Sequence, residues 1–156
     1  VKQMQQLGSE PSISPLIIVF EDLRTAKLDG QENTPVNVAS QRLYEVQSHL
    51  TVSNHGYLAY AVIVNKAFWD KLPTDIRSAL EAALRDATAF ENGIAEAENT
   101  QALERIKASG RLSVHTPGAQ EMAQWRAVLD PVSLAARSGI APELVQAIQA
   151  ATRPPP

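Results

Sequence analysis

Apolar and polar residues follow one another along this chain in blocks of helical and strand length. Residues 17–28 carry apolar side chains at helical spacing and predict a helix. Pro35 suits a first helical turn and predicts a second helix that continues to about position 47. Residues 49–53 and 112–116 are rich in β-branched or alternating side chains, so each predicts a short strand. The pattern therefore predicts an α/β fold.

One further segment has strand length but no alternation. Residues 58–64 read Leu-Ala-Tyr-Ala-Val-Ile-Val, which is a nearly continuous apolar run. Such runs are typical of strands whose two faces are both covered by other elements. We therefore expect a buried strand here.

A long amphipathic pattern covers residues 73–109. Its apolar positions recur at spacings of three and four, at Ile76, Leu80, Ala83, Leu84, Ala87, Phe90, Ile94 and Ala97. An unbroken helix of this length measures about 55 Å at 1.5 Å per residue, against about 30 Å for a small domain. Such a helix must cross between two bodies or stand exposed. The alternative is two helices with a break near Asn92 and Gly93.

The C-terminal part predicts two more helices. Residues 121–129 form one helical pattern, which we expect Asp130-Pro131 to interrupt or kink. A last helix begins near Pro142, with Leu144, Ile148 and Ala151 as its buried side. Residues 153–156, Arg-Pro-Pro-Pro, predict a frayed tail.

Composition and charge exclude several classes of protein. The 156 residues carry a net charge of −3 with a pI near 5.6, which argues against nucleic-acid binding. No apolar run of membrane-spanning length and no signal peptide is visible, as expected for a mature form or a fragment. The chain has no cysteine, which excludes disulfides and thiolate metal sites and is compatible with an oxidising periplasm.

Residues that would carry catalysis or hold a metal are scarce. The histidines at 49, 55 and 115 lack metal-ligand spacing, and no G-x-S-x-G elbow or phosphate-binding glycine loop occurs. We therefore predict no catalytic residues, no metal and no cofactor. His55 is expected to be either a packed, hydrogen-bonded residue or a ligand contact.

The densest polar segment is Asp-Gly-Gln-Glu-Asn at residues 29–33. It lies between two predicted helices, and its glycine permits a sharp turn. Two carboxylates and two amides offer many donors and acceptors within five residues. Such a loop either binds a polar ligand or caps the next helix.

At this point the chain resembles the DctP-type substrate-binding proteins of tripartite ATP-independent periplasmic (TRAP) transporters. The resemblance rests on the order and spacing of several segments, above all Asp-Gly-Gln-Glu-Asn followed by Ser-Asn-His. The segments are residues 8–11, 29–33, 43–47, 53–55, 69–73, 125–126 and 130–132.

The resemblance implies a fold and a division of the chain. Members are two-lobed clamshells with a long helix that crosses both lobes, and their mature chains are about twice this long. Residues 1–54 would then belong to lobe II, residues 55–108 to the hinge crossing, a lobe I strand and the spanning helix, and residues 109–156 to the return into lobe II. The family's carboxylate-binding arginine would lie outside this chain, so no arginine here takes its role.

The same resemblance implies the ligand-binding residues. Asn33 corresponds to the asparagine that hydrogen-bonds the substrate carboxylate. Leu16 falls where several similar proteins place a phenylalanine against the ligand. Asn54, His55 and Tyr57 lie at the crossing between lobes, where the tyrosine can offer a hydroxyl.

Three functional hypotheses follow. The favoured one is a periplasmic solute-binding protein, not an enzyme, that captures a small organic acid and delivers it to the TRAP permease in the membrane, and that is complete only when joined to the N-terminal half that this chain lacks. The second is a truncated or repurposed interaction or sensory module that pairs with itself as a homodimer. The third is a small hydrolase or lyase using His55 and a carboxylate.

Overall fold

The computed structural model describes residues 1–151, which form helices and one small sheet. In chain order the elements are α1 (Lys2–Gln6), α2 (Leu16–Arg24), α3 (Pro35–Ser40), a 3-10 turn (Leu43–Glu45), β1 (His49–Thr51), α4 (Lys66–Trp69), α5 (Thr74–Ala108), β2 (Ser113–His115), α6 (Ala119–Arg137) and α7 (Pro142–Ala151). The expected tail at 153–156 lies outside the described residues. The fold is mostly helical with a small parallel sheet.

The chain divides into two compact units. One comprises Val1–Pro15 with the segment from Thr116 onward, and the other comprises Leu16–His115. The second unit contains both strands, the long helix and the polar loop at 29–33. The assignment of sequence ranges to lobes stays a prediction, since these units are groups of contacting residues.

The apolar core of the second unit lies where three helices and the 3-10 turn meet. Leu43 in the turn and Ile106 near the end of α5 are fully buried. Val19 and Leu23 of α2 and Val38 of α3 complete the cluster. The C-terminal end of α5 thus packs against the elements on either side of the polar loop, and burial of these side chains stabilises that arrangement.

Both predicted strands are confirmed. β1 and β2 pair in parallel, with Leu50 opposite Val114. Each of these central residues is half-buried and each strand's outer residues are exposed, as the short alternating patterns predict. The pairing brings the chain after the long helix back beside the segment that precedes residues 53–57.

The long helix is also confirmed. α5 runs without a break through 35 residues, about 52 Å at 1.5 Å per residue, so the alternative with a break at Asn92 and Gly93 is wrong. Its apolar side is nonetheless largely exposed between positions 76 and 94, where Phe90 is 70% exposed. Whether the helix crosses two lobes stays a prediction.

Two helices end earlier than the pattern predicts. α2 ends at Arg24 rather than at position 28, because Ala26 adopts a left-handed conformation with φ of 56°. α3 ends at Ser40 rather than near position 47, and Arg42 makes a similar turn with φ of 56°. Glycine normally occupies such positions, so alanine and arginine gave no sequence signal for these ends.

The strand predicted at residues 58–64 is wrong. Residues 58–64 form no strand with any part of the described range 1–151. Their side chains are largely exposed, at least 80% for Tyr60, Val62 and Ile63. A strand needs a neighbour to complete its hydrogen bonds, and a continuous apolar strand needs cover on both faces. The described residues provide this segment with neither.

Two predictions for the C-terminal helices are corrected. α6 runs from Ala119 to Arg137 and is not interrupted at Pro131. Pro131 has no N–H to donate to the backbone carbonyl of Ala127, which is four residues earlier. Because Ala127 is exposed, we attribute the continuity of the helix to solvation of that carbonyl by water. α7 is present, but its apolar Leu144 and Ile148 are more than half exposed. Spacing identifies which side chains share a face, but it does not determine whether that face is covered.

Candidate functional site

Side-chain contacts attach the polar loop at residues 29–33 to two neighbouring segments. Gln31 Nε2 donates a hydrogen bond to Gln47 Oε1 over 3.3 Å. Glu32 Oε2 lies 3.6 Å from His55 Nε2. These contacts span sixteen residues or more of sequence, so the loop is fixed by the tertiary fold as well as by its own turn.

Asn33 lies at the end of the loop and is half-buried. Its Oδ1 accepts one hydrogen bond from the backbone N–H of Thr34 over 3.2 Å and another from Asn37 Nδ2 over 2.6 Å. Asn33 Nδ2 has no acceptor among residues 1–151. The amide is therefore oriented with its oxygen satisfied and its nitrogen able to donate to a further group.

The helix that follows is capped rather than merely started by proline. Thr34 Oγ1 accepts a hydrogen bond from the backbone N–H of Asn37 over 3.4 Å, which satisfies one of the donors at the start of α3. Pro35 occupies the first helical position, as the sequence predicts. The cap is therefore Thr34, which directly follows the loop, while the loop itself carries the half-buried amide of Asn33. Ligand binding by the loop stays a prediction.

The segment at residues 53–57 reaches the loop through its histidine. His55 Nδ1 lies 2.7 Å from the hydroxyl of Ser53, which is 7% exposed. Asn54 is exposed and adopts a left-handed conformation with φ of 46°, which turns the chain. Tyr57 is 92% exposed. The fold therefore brings His55 to the polar loop and leaves Tyr57 at the surface.

Leu16 is the first residue of α2, and its half-buried side chain packs against the core cluster. Its position near the start of an element is compatible with a ligand contact. Its described contacts are those of a core residue.

The two arginines nearest to the loop in sequence are paired locally. Arg24 lies 2.7 Å from Glu21, and Arg42 lies 2.7 Å from Glu45. Hydrogen bonds from these guanidinium groups lower the pKa of each glutamate carboxyl, and the carboxylates raise the pKa of each arginine. Both arginines thus have a carboxylate partner three residues away along the chain.

Catalytic and metal-binding arrangements receive no support. Ser53, His55 and Glu32 lie in a row, but the serine that would act as nucleophile is buried. Over residues 1–151, no group of three or more His, Cys, Asp or Glu side chains could hold a metal ion. Nor is any helix in that range long and apolar enough to cross a membrane.

Two polar residues that contribute to the site were not predicted from the sequence. Asn37 contacts Asn33, and Asn99 Oδ1 on α5 accepts a hydrogen bond from the backbone N–H of Val36 over 3.3 Å. A signal for Asn99 existed, because it shares one helix face with Ala102 and Ile106, the two buried residues of α5. A polar residue on a buried face predicts a specific hydrogen-bond partner.

Similarity to known proteins defines the class of protein. Residues 1–138 match the family of bacterial extracellular solute-binding proteins, family 7 (DctP). The chain therefore belongs to that family, which consists of solute-binding proteins and not of enzymes. This confirms the resemblance seen in the sequence and excludes the hydrolase or lyase hypothesis.

Individual relatives give the same result. The chain is 46% identical over 150 residues to the C4-dicarboxylate-binding periplasmic protein DctP of Rhodobacter capsulatus, covering 96% of this chain and 45% of that protein. A TRAP periplasmic solute-binding protein of Shewanella oneidensis with bound succinate superposes with a TM-score of 0.92 at 37% identity, covering 97% of this chain and 50% of the other. A similar protein of Pseudomonas aeruginosa with bound L-malate gives a TM-score of 0.80 at 31% identity, covering 83% and 45% of the two chains.

Length distinguishes this chain from those proteins. It spans about half the length of the curated relatives it matches, 45% of the Rhodobacter capsulatus protein and 43% of a Shewanella loihica protein of the same name. Both relatives are periplasmic, in agreement with the predicted localisation.

Proposed function

We propose that this chain contributes half of a periplasmic solute-binding protein that captures a C4-dicarboxylate and delivers it to the membrane permease of a TRAP transporter. The observation that carries the proposal is the match to the succinate-bound Shewanella oneidensis protein over 97% of this chain. The names of the relatives, which include C4-dicarboxylate-binding proteins and an L-malate complex, indicate the same class of ligand.

Asn33 is the residue that we propose to contact the ligand carboxylate. Its Oδ1 already accepts two hydrogen bonds, so the group it can offer is the Nδ2 donor, which suits an anionic oxygen. The loop that carries it is attached at Gln31 and Glu32, so little entropy is lost in placing the amide.

The other candidate residues have proposed roles in supporting the loop, in the crossing between lobes and in contact with the ligand. His55 would support the loop through Glu32 while Asn54 and Tyr57 line the crossing between lobes, and Leu16 would contact the ligand from the start of α2. In this proposal residues 1–54 and 109–156 belong to one lobe, and residues 55–108 cross to the other. Ligand contacts made from both lobes exist only in the closed form, so binding would favour closure.

The exposed apolar side of α5 supports a proposal about the rest of the protein. We define the α5 stripe as the large apolar residues along its first two thirds, each at least 39% exposed: Ile76, Leu80, Leu84, Phe90 and Ile94. Contiguous apolar surface of this kind normally contacts another body. The relatives carry about as much chain again, and we infer that this additional half covers the stripe and the segment at 58–64.

Calorimetry on a joined protein tests the ligand. The N-terminal half of the Rhodobacter capsulatus relative is fused to this chain, and succinate and L-malate are titrated into it. We expect binding of at least one of them. Asn33→Ala should weaken it by about 10- to 100-fold, because a hydrogen bond to a charged group contributes about 1.5–3 kcal/mol.

Two further variants refine this test. Asn33→Asp keeps an acceptor for Asn37 but places a negative charge before the carboxylate, so it should weaken binding at least as much. Asn92→Ala, an exposed asparagine on α5, is the matched control and should leave affinity unchanged. A folded joined protein that binds neither acid contradicts the proposed ligand class, and equal affinities for the Asn33 and Asn92 variants contradict the role of Asn33.

A self-associating module is the second candidate, favoured by the same exposed α5 stripe. Native mass spectrometry of this chain, alone and mixed with the N-terminal half of the relative, separates the two. A one-to-one complex that Leu84→Glu weakens and Leu144→Glu does not would support the solute-binding protein. A homodimer that persists in the mixture would support the self-associating module instead.

A further inference from the structure

The orientation of the Asn33 amide determines what it can offer to a ligand. Oxygen and nitrogen of an asparagine side chain occupy nearly identical volumes, so either one can face a given direction. An amide that presents Nδ2 donates to a carboxylate, whereas one that presents Oδ1 repels it. Something must therefore fix the amide if Asn33 is to recognise an anion.

We propose that Asn37 is the positioning residue that fixes this orientation. Its Nδ2 donates to Asn33 Oδ1 over 2.6 Å, the shorter of the two hydrogen bonds at that oxygen. The backbone N–H of Thr34 donates to the same atom, so reversing the amide would place its NH₂ group against two donors. The inference rests on the proposed function, because it concerns how Asn33 would hold the ligand carboxylate.

The backbone at and before Asn37 is itself held in place by two hydrogen bonds. Its backbone N–H donates to Thr34 Oγ1 at the start of α3. The neighbouring Val36 N–H donates to Asn99 Oδ1 on α5, which joins α3 to the buried end of the long helix. Asn99 Nδ2 donates in turn to the carbonyl of Ala95 over 2.9 Å, so its own amide orientation is also determined. Hydrogen bonds thus fix the backbone of α3 that carries Asn37 against the buried end of α5.

The substitution Asn37→Asp separates orientation from folding. Aspartate retains the shape of asparagine but cannot donate, so the Asn33 amide should reverse and donate its own Nδ2 to the new carboxylate. A carboxylate in the first turn of α3 also interacts favourably with the helix dipole, so the variant is expected to fold. Asn37→Leu removes the donor without adding charge and controls for simple repulsion of an anionic ligand.

Hydrogen exchange of the Asn33 side-chain amide, measured by NMR on this chain, reports the orientation without any ligand. In the unaltered chain the Asn33 Nδ2 protons should exchange about as fast as those of exposed Asn92. In Asn37→Asp they should exchange several-fold more slowly, while Asn92→Asp leaves them unchanged. Protection of these protons in the unaltered chain, or unchanged exchange in Asn37→Asp, would overturn the proposal.

Succinate titration of the joined protein tests the consequence for binding. Asn37→Asp and Asn37→Leu should each weaken binding by about tenfold or more, the loss expected for one charge-assisted hydrogen bond. In an Asn33→Ala background neither should change affinity further, because Asn37 acts only through Asn33.

The outcomes distinguish the two proposals. If Asn33→Ala leaves binding intact, the proposed role of Asn33 fails. If Asn33→Ala weakens binding but the Asn37 variants do not, only the positioning role of Asn37 fails. The same holds if the Asn37 variants weaken binding as much in the Asn33→Ala background as in the unaltered protein.

Discussion

The C-terminal end of α5 and the part before it contain similar apolar residues but have different surroundings. Ile106, near the C-terminal end, is fully buried against α2, α3 and the 3-10 turn. Ile94, three turns earlier on the same helix, is 39% exposed, and Phe90 before it is 70% exposed. The helix is unbroken through both parts, and only the C-terminal part packs into the core.

This difference separates what forms a helix from what stabilises a fold. Buried apolar area contributes free energy, whereas an exposed apolar stripe contributes almost none until another body covers it. The stability of residues 16–115 should therefore depend on the packed end of α5 and on α2 and α3. The exposed part, residues 57–97, is where the remainder of a family-length protein would add stability.

The largest expected effect comes from truncating an isoleucine in the packed part of α5 and another in its exposed part. Ile106→Ala should lower the free energy of unfolding by about 2–5 kcal/mol, because it leaves a cavity in the core. Ile94→Ala, the matched control, should change it by roughly 0.5 kcal/mol or less. Urea denaturation of this chain followed by circular dichroism measures both. Equal losses at the two positions would show that the stripe is already covered.

The joined protein sharpens the same measurement. If the additional half covers the α5 stripe, the cost of Ile94→Ala should rise toward that of Ile106→Ala once the halves are fused. A cost that stays near zero in a folded joined protein would contradict the proposed cover.

Substituting asparagines in the packed and the exposed part of α5 should also change stability unequally, but by less than substituting the isoleucines. Asn99→Leu removes the acceptor for the Val36 N–H and should cost about 1–3 kcal/mol, the penalty of an unsatisfied partly buried donor. Asn92→Leu, on the exposed part, should be within about 0.5 kcal/mol of the unaltered chain. Hydrogen exchange at the Val36 amide should accelerate in the first variant alone. Unchanged protection there would mean that Asn99 does not hold α3.

Helix capping offers a third test, with effects near 1 kcal/mol. Thr34→Ala removes the cap of α3, which packs on α5, and should cost about 1 kcal/mol. Asn65→Ala removes the better-formed cap of α4, where Oδ1 accepts from Phe68 N–H over 3.0 Å. Because α4 is four residues long and has no buried residue, its loss should leave global unfolding nearly unchanged. Urea denaturation midpoints of the two variants measure these losses of stability. A larger loss for Asn65→Ala than for Thr34→Ala would contradict the expected order.

The sequence predicted much of the packed region because its signals are local. Pro35, the β-branched residues of β1 and β2, and the spacing along α5 each state a preference that the tertiary structure also satisfies. The helix ends at Arg24 and Ser40 were missed because the left-handed residues that follow them, Ala26 and Arg42, are not glycines and carry no local signal. Cover for residues 58–64 and for Leu144 could not be predicted, since it depends on neighbours far along the chain or outside it.

The candidate site shows the same limit. The resemblance predicted Asn33 as a ligand contact, and it pointed to the two segments that the His55–Glu32 contact joins. It did not identify Asn37, whose contact with Asn33 forms in the first turn of α3. Nor did it identify Asn99, whose hydrogen bond forms only when α3 lies on α5. Single residues could be recognised from motifs, but their partners required the fold.

The smallest effect concerns two ion pairs that have the same shortest N–O distance, 2.7 Å, and different exposure. The carboxyl pKa of both glutamates lies below its ordinary value of 4.5, chiefly through the hydrogen bond from the arginine three residues away. The side chain of Glu45 is 19% exposed and that of Glu21 is 60% exposed, so water should screen the Glu45 pair less. We therefore expect the larger pKa depression at Glu45, measured by NMR titration of the two side-chain carboxyl carbons.

Replacing each arginine completes the test. Arg42→Gln should raise the pKa of Glu45 toward 4.5, and Arg24→Gln should do so for Glu21 by a smaller amount. A depressed carboxyl pKa adds stability at pH above the unfolded value, and that stability is lost as the pH falls through the folded pKa. The stability difference between Arg42→Gln and the unaltered chain should therefore be present at pH 7 and vanish in acid. A difference that persists well below the folded pKa would assign the effect of Arg42 to packing or to its left-handed backbone instead.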